Sequence, residues 1–369
     1  MADVNSVAVL SSRREDFGPP PQLQRSQLRR HALALGVIAL LAVAVITLVP
    51  GLADLRTRFA HGDPGWLTLG AGLKILSALS YVAVFRSVFC KGMSWRLSSQ
   101  IGLAELGANA VVPTGGAGGL ALGAWALHRG GMDGGRIARR SVAFFFLTSV
   151  PNVLGVVILG AGLAIGVFPG RASLALSLLP ALIAAAAVVI TITGGRWAAV
   201  AERRLRARPG GSPRVADALQ ALSRGVEEAL LLLRGRDPWL LFGLVGYLAF
   251  DVMILWATFH AFGAVPPLAI VWIGYLIGEL GGLLPLPGGI GGVDAGLVGT
   301  LLLYHVPVAA ATAAVLAYRA LALVVPAAVG AVAFAALRRS LAREALAISS
   351  CEPGGEVEVI GRGTVHITA

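Results

Sequence analysis

Long apolar runs separated by short basic segments dominate the pattern of hydrophobic and polar positions along this chain. Crossing a hydrocarbon core of about 30 Å takes about 20 helical residues, and six of the runs reach that length. We therefore predict membrane spans at residues 33–52, 66–90, 141–168, 174–193, 239–262 and 306–337. The first run is too long for the roughly 7–15-residue apolar core of a signal peptide.

Four shorter apolar segments are too short to span a bilayer comfortably. Residues 97–112 and 117–127 are joined by a Pro/Gly turn, and so are residues 268–284 and 292–304. We predict that each pair forms a re-entrant helical hairpin, which is tolerated at membrane depth only when it is buried in protein or lines a watery cavity. If a pair spans fully instead, the chain still returns to the same side. The predicted fold is thus an all-α polytopic membrane protein with about six full spans plus two re-entrant helical hairpins.

Composition supports the membrane class. Hydrophobic residues make up 56% of the chain and charged residues 13%, with a mean hydropathy of +0.79. Soluble domains have about 45–50% apolar and about 25% charged residues. The histidines and the two cysteines are scattered without metal-ligand spacing, so we expect neither a metal nor a cofactor.

The placement of arginine and lysine predicts the orientation of the chain. The segments that we assign to the cytoplasm are rich in basic residues, whereas the outer segments hold only Arg56, Arg58 and Arg171. Both termini are therefore predicted to be cytoplasmic. Residues 1–32 are predicted to be a disordered cytoplasmic arm, residues 33–337 a transmembrane domain and residues 338–369 a short cytoplasmic tail. The formal charge of +11 then indicates contact with anionic lipid of the cytoplasmic leaflet, and we expect no nucleic-acid partner.

A gapped string, ELG-x5-P-x-G-x-x-G, occurs twice in the chain. It begins at Glu105 and again at Glu279, an offset of 279 − 105 = 174 residues. Residues 33–168 and 174–337 then form two units, each with the order span, span, hairpin, span, and the charge distribution gives the units opposite orientations. Such an inverted-topology repeat predicts two hairpins that meet near the midplane from opposite faces.

A long basic loop, residues 194–236, separates the first two spans of the second unit. Within it, Ser212 and Pro213 are typical of a helix start. Apolar residues then follow at spacings of three and four: Val215, Leu219, Leu222, Val226, Leu230 and Leu233. Such a helix either lies in the interface and gathers anionic lipid or packs on the cytoplasmic ends of the bundle.

The glycine-rich turns at residues 113–119 and 285–292 suggest a binding site. Each turn exposes backbone amides and precedes a short helix, whose start carries a partial positive charge of about half a unit. A phosphate or a carboxylate suits such a turn. The alternative is that the glycines serve only close helix packing.

Ionisable side chains at membrane depth are functional candidates because each costs at least about 2.5–3.5 kcal/mol at the bilayer centre. Here they are Lys74, Glu105, Asp251, Glu279, Asp294 and Arg319. Arg319 lies well inside the last span and needs a carboxylate partner or an anionic ligand. Glu279 and Asp294, which flank the second turn, are its expected partners, and a static ion pair is the alternative. Lys74 and Asp251 are possible coupling groups or ion pairs.

The second motif, LLPLPGGIGGVDAGLVGTLLLYHVP, resembles the PxPGGxGxxE signature of the transmembrane, flippase-like domain of lysylphosphatidylglycerol synthases and their stand-alone relatives. The upstream segment NAVVPTGGAGGLALGAWALHRGG, which opens with Asn109, resembles that family's first copy. By motif position Pro285, Pro287, Gly288, Gly289 and Gly291 match, and Asp294 stands near the usual Glu. The resemblance implies a multi-pass protein of the bacterial inner membrane that moves an aminoacylated or other polar lipid between leaflets.

Our leading hypothesis is accordingly a transporter of an anionic or aminoacylated lipid or of a lipid-linked precursor. The alternatives are an ion-coupled transporter of a small soluble anion, with Glu105 and Glu279 as coupling carboxylates, and a non-catalytic membrane subunit or scaffold. The sequence has no nucleophile–base pair or nucleotide loop, so we expect that the protein is not an enzyme. A homo-oligomer is compatible with the sequence. The candidate substrate pathway comprises Glu105, Asn109, Pro113, Gly115, Gly116, Gly118, Glu279, Pro285, Pro287, Gly288, Gly289, Gly291, Asp294 and Arg319.

Overall fold

The computed structural model describes residues 53–111, 117–168, 174–207, 212–280 and 291–349, and within these ranges the chain is helical, with no strand. The helices are α1 (Ala53–Ala60), α2 (Pro64–Phe89), α3 (Trp95–Val111), α4 (Ala117–Arg129), α5 (Gly134–Ala164), α6 (Leu174–Ala207), α7 (Pro213–Arg234), α8 (Pro238–Ala261), α9 (Leu268–Gly278), α10 (Gly292–Leu303) and α11 (Val308–Ser349). The all-α prediction is confirmed for this part of the chain.

Four of the described helices are long and apolar enough to cross a membrane: α2, α5, α8 and residues Val308–Arg339 of α11. They correspond to four of the six predicted spans. The predicted span 174–193 lies in α6, and the predicted span 33–52 lies outside the described residues. Both α6 and α11 continue beyond the predicted spans, because the basic residues that follow the apolar runs are compatible with a helix.

The short helices of the two predicted hairpins also form. In the first hairpin α3 packs against α4, and in the second α9 packs against α10. Each turn between the paired helices, residues 112–116 and 281–290, lies outside the described residues. Helices α3, α4 and α10 end within two residues of their predicted limits, because the Pro/Gly segments interrupt the apolar runs. Helix α9 ends at Gly278, before the predicted limit at residue 284, and residues 281–284 lie outside the described residues.

Aspartate followed by proline begins both α2 and α8. The carboxylate of Asp63 accepts from the backbone N–H of Gly65 at 2.7 Å, and that of Asp237 accepts from the N–H of Trp239 at 3.1 Å. An N-cap carboxylate followed by proline at the first helical position favours a helix start. Asp237 also pairs with Lys91 at 3.0 Å, which ties the start of α8 to the segment after α2.

The packing of the helices follows a two-unit pattern. If α2, α3, α4 and α5 correspond to α8, α9, α10 and α11, then contacts in one unit recur between counterparts in the other. For example, α3 packs on α11 as α9 packs on α5, and α2 packs on α11 as α8 packs on α5. The most extensive contact, between α2 and α8, joins counterparts to each other.

Glycines allow α3 and α11, and likewise α2 and α8, to approach closely. A Cβ atom on Gly330 of α11 would lie 2.5 Å from the Cα atom of Gly107 of α3, so neither position has room for a side chain. A Cβ atom on Gly243 of α8 would lie 2.8 Å from the carbonyl oxygen of Ser80 of α2. Such small residues let helix backbones come into van der Waals contact inside a membrane bundle.

The basic loop folds in large part into helix α7, which starts at Pro213 as predicted. It packs against α5 and α6, with Ala216, Ser223, Val226 and Ala229 buried. The ion pairs from Glu228 to Arg139 at 3.5 Å and to Arg140 at 3.1 Å attach it to the start of α5. The helix therefore packs on the bundle, but two residues of the predicted stripe, Val215 and Leu222, are exposed. The alternative that it also gathers anionic lipid stays a prediction.

Candidate functional site

A buried ion pair joins α2 to α8. The Nζ atom of Lys74 lies 2.8 Å from Oδ1 of Asp251, and the two side chains are 8% and 6% exposed. The Tyr275 hydroxyl of α9 lies 3.4 Å from the second oxygen of Asp251 and donates to it. Lys74 and Asp251, each predicted as a possible coupling group or ion-pair member, therefore form one pair with each other in which both charges are compensated.

A second ion pair lies at the end of the second hairpin. The Nε atom of Arg319 on α11 is 2.9 Å from Oδ1 of Asp294 on α10. The other carboxylate oxygen of Asp294 accepts from the backbone N–H of Gly291 at 2.8 Å. Gly291 has φ +89°, a left-handed conformation that favours glycine. Asp294 thus fixes the start of α10 and pairs with Arg319. It is one of the two carboxylates that the sequence predicted as partners of Arg319.

Glu279 lies between these two pairs. It follows the last residue of α9 and is within electrostatic range of Arg319, Asp251, Lys74 and Asp294. The side chains of Tyr247, Tyr275 and Tyr318 are close enough to interact with it electrostatically. We call Lys74, Asp251, Glu279, Asp294 and Arg319 the charged cluster. It contains three carboxylates and two cations.

Glu105 occupies a different position, inside the first hairpin. Its side chain is buried and its Oε2 atom accepts from the Tyr81 hydroxyl at 2.8 Å. Its Oε1 atom lies directly against Gly123 of α4, where a Cβ atom would overlap it. One turn along α3, the side-chain oxygen of Asn109 accepts from the N–H of Gly119 at 2.7 Å. Glu105 and Asn109 therefore bind α3 to the glycine face of α4.

An aromatic contact connects Glu105 with the charged cluster. The ring of Tyr81 lies 5.6 Å from the ring of Tyr247, centroid to centroid. Tyr247 in turn interacts electrostatically with Asp251 and Glu279. Tyr81 and Tyr247 thus connect Glu105 to the charged cluster, which contains Glu279, the second glutamate of the repeated motif.

The structure brings together five of the six predicted intramembrane charges and joins the sixth to them through two tyrosines. Gly118 is buried in the first turns of α4. The remaining predicted turn residues lie outside the described residues: Pro113, Gly115, Gly116, Pro285, Pro287, Gly288 and Gly289. Their suggested contact with a head group therefore stays a prediction.

Three tyrosines of the site were not predicted. Tyr81, Tyr247 and Tyr275 lie within apolar helices, where a phenol hydroxyl needs a partner. That requirement is the signal that could have identified them, but it does not indicate which carboxylate each one meets.

Residues 33–330 match the family described as the lysylphosphatidylglycerol synthase TM region. No curated protein matches the chain. The family match covers 330 − 33 + 1 = 298 of the 369 residues, including every described residue of the charged cluster. The chain therefore belongs to the lysylphosphatidylglycerol synthase transmembrane family and is a multi-pass membrane protein related to lipid handling.

Proposed function

We propose that this protein is a transporter that moves a polar lipid between the leaflets of the bacterial inner membrane and that it has no catalytic role. The observation that carries the proposal is the charged cluster. One of its ion pairs, between Lys74 and Asp251, crosses from the first unit to the second. A transporter that alternates between two packings of its repeats has its substrate site at such a junction.

The energetic cost of the charged cluster supports a functional role. Each charged side chain costs at least about 2.5–3.5 kcal/mol at the bilayer centre, and five of them lie together. Pairing offsets part of this cost, but apolar side chains of the same volume would hold the helices together at least as well. A polar head group crossing the membrane needs such a site, because hydrocarbon offers no hydrogen-bond partners.

The balance of charges favours a particular class of head group. Arg319 is paired with Asp294, and Glu279 gives the cluster its third carboxylate. A head group that carries an ammonium as well as a phosphate complements this set better than a purely anionic one. The ammonium would interact with Glu279 and the phosphate with Arg319. We therefore favour an aminoacylated or otherwise amine-bearing phospholipid over an anionic one.

We further propose an inverted-topology repeat with both termini in the cytoplasm and the two hairpins entering from opposite faces. The recurrence of equivalent contacts in the two units supports the repeat, and the distribution of basic residues supports the orientation. The arginine-rich segments would then face the anionic lipids of the cytoplasmic leaflet.

Reconstitution in liposomes tests the function. Vesicles would carry trace amounts of two phospholipids with fluorescent acyl chains, one with an aminoacylated head group and one with an anionic head group. A membrane-impermeant quencher then reports how fast each lipid changes leaflet. We expect the protein to accelerate the aminoacylated lipid more strongly.

Variants of the charged cluster make this experiment specific. Glu279→Gln should reduce exchange of the aminoacylated lipid at least tenfold. Glu227→Gln is the matched control, because Glu227 lies on the exposed face of α7 and pairs with Arg224 there. Equal exchange by wild type and empty vesicles for both lipids would refute the proposal. Uptake of a soluble anion by the same vesicles would then favour the alternative transporter function.

A further inference from the structure

An apolar groove runs between the second helix of the first hairpin, α4, and the neighbouring span, α5. Its volume is about 520 Å³. The α4 wall consists of Leu120, Ala124 and His128; the α5 wall consists of Gly134, Ile137, Ala138, Ser141, Val142 and Phe145. His128 and Gly134 lie at the end of the groove next to the α4–α5 connection, and the remaining walls are almost entirely apolar.

The groove is long and follows the helix axes. Its α4 wall runs from Leu120 to His128, a separation of 128 − 120 = 8 residues, and its α5 wall from Gly134 to Phe145, a separation of 145 − 134 = 11 residues. At about 1.5 Å per residue these distances are roughly 12 Å and 16 Å. Because α5 is a candidate membrane span, the groove runs in the same general direction as the lipid chains around the protein.

Small side chains keep this space open towards the outside of the bundle. A Cβ atom on Gly134 would meet no atom within 4 Å. Ala138 is exposed, and Phe145 is 50% exposed at the far end. Only 28% of the apolar window of α5 is buried within the protein. The groove is therefore accessible from the lipid side.

The groove adjoins the first hairpin. A different face of α4 carries Gly119 and Gly123, which contact Asn109 and Glu105. A single helix therefore separates an apolar groove on its outer side from a buried carboxylate on its inner side. A lipid bound along α4 would have its chain next to the hairpin that reaches the polar interior.

The positive charge at the His128 end of the groove suits a phosphate. His128 and Arg129 end α4, and Arg136 lies in the first turn of α5. The carboxylate of Asp133, which accepts from the backbone N–H of Arg136 at 3.0 Å as the N-cap of α5, stays negative. The two arginines still outnumber it. The basic side chains would favour the anionic part of a head group at the membrane surface.

We infer that the groove binds one acyl chain of the transported lipid, with the phosphate of that lipid at the His128 end. This inference rests on the proposed function for the identity of the occupant. It assigns an entry site in the cytoplasmic leaflet, where the lipid is held by its chain before its head group moves towards the charged cluster.

Photo-crosslinking tests the site directly. The full chain would be placed in nanodiscs that contain a phospholipid with a diazirine on one acyl chain, and the crosslinked peptides would be identified by mass spectrometry. We expect crosslinks on α4 and α5 residues that line the groove. Ala138→Trp should fill the groove and reduce these crosslinks at least fivefold. Ala186→Trp, at an exposed alanine of α6, is the matched control and should leave them unchanged.

The outcomes separate this inference from the proposed function. Groove crosslinks that Ala138→Trp removes support the site, whether or not lipid exchange is detected. If Glu279→Gln abolishes lipid exchange but keeps the groove crosslinks, the site is supported, and binding of the acyl chain and transfer of the head group are distinct steps. Crosslinks spread evenly over all lipid-facing helices, or equal crosslinking in both tryptophan variants, would overturn the inference even if transport is real. Size-exclusion profiles identical to wild type would show that the variants fold.

Discussion

The Lys74–Asp251 pair provides the most quantitative prediction. Lys74→Met removes the cation and leaves Asp251 buried with only the 3.4 Å hydrogen bond from Tyr275. Glu279 is also within electrostatic range of Lys74, so a second carboxylate loses a nearby cation. We expect Lys74→Met to destabilise the protein, and Lys74→Met combined with Asp251→Asn to restore most of the loss.

The magnitude follows from the geometry. Two unit charges 2.8 Å apart attract each other by about 6 kcal/mol at an effective dielectric constant of about 20. Desolvation of both groups cancels much of this attraction in the intact pair, so the net value of the pair is small. Removing one partner leaves the desolvation cost of the other without compensation, which amounts to about 3–5 kcal/mol. The double variant leaves neither charge and should lie within about 2 kcal/mol of wild type.

The measurement is a double-mutant cycle on the free energy of unfolding in mixed micelles, with wild type, Lys74→Met, Asp251→Asn and the double variant. Each single variant should be strongly destabilised and the double variant much less so. If Lys74→Met lies within about 1 kcal/mol of wild type, the pair is not desolvated as its burial implies. If the double variant loses the sum of the single losses, the two residues do not act on each other.

Three further predictions concern packing, hydrogen bonding and pH. Gly330→Ala should cost about 1–3 kcal/mol by forcing α11 away from α3, whereas Gly72→Ala, where a Cβ atom meets nothing within 4 Å, should gain up to about 1 kcal/mol. Tyr81→Phe should cost about 1–3 kcal/mol because buried Glu105 loses its 2.8 Å hydrogen bond. Thermal unfolding in detergent measures the stability of the glycine variants and of Tyr81→Phe. Burial raises the pKa of Asp237, but hydrogen bonds from a lysine and a backbone amide outweigh it and hold the pKa below its usual range. Wild type should therefore exceed Asp237→Asn in stability at neutral pH and lose that advantage as the pH falls below about 4.

Each of these predictions has its own contrary result. Equal melting temperatures for Gly330→Ala and Gly72→Ala would show that α3 and α11 are not in backbone contact. A Tyr81→Phe variant as stable as wild type would show that Glu105 finds an equivalent donor. For Asp237, a stability difference that is constant from pH 7 to pH 3 would show that the carboxylate charge is not its cause. Helix capping would not account for it either, since asparagine caps a helix about as well as aspartate.

The sequence predicts the long helices well because span length is a property of local composition. The prediction for residues 239–262 agrees with α8, Pro238–Ala261, to within one residue at each end. Helices α6 and α11 continue past the ends of the predicted spans, because polar residues end a membrane span without ending a helix. Hydropathy indicates where a helix leaves the hydrocarbon core, and it does not indicate where the backbone hydrogen bonds of that helix end.

The site could be predicted only in part. The Arg319–Asp294 pair was expected because a charge inside the membrane requires a nearby counter-charge, and few were available close to the last span. The pairing of Lys74 with Asp251 could not be predicted, since 177 residues separate them and no local periodicity relates them. The same holds for the contact of Glu105 with Gly123, which depends on how two short helices cross.

The contact of Gly107 with Gly330 has a consequence for how the protein is made. The second partner emerges from the ribosome 330 − 107 = 223 residues after the first, and translation at about 5–20 residues per second takes roughly 10–45 s to supply it. During that time the first hairpin is in the membrane without α11, the helix that packs on Gly107 of α3. The first unit therefore cannot complete its fold before the second is inserted, and we expect biogenesis to depend on factors that shelter polar helices in the bilayer until the last span arrives.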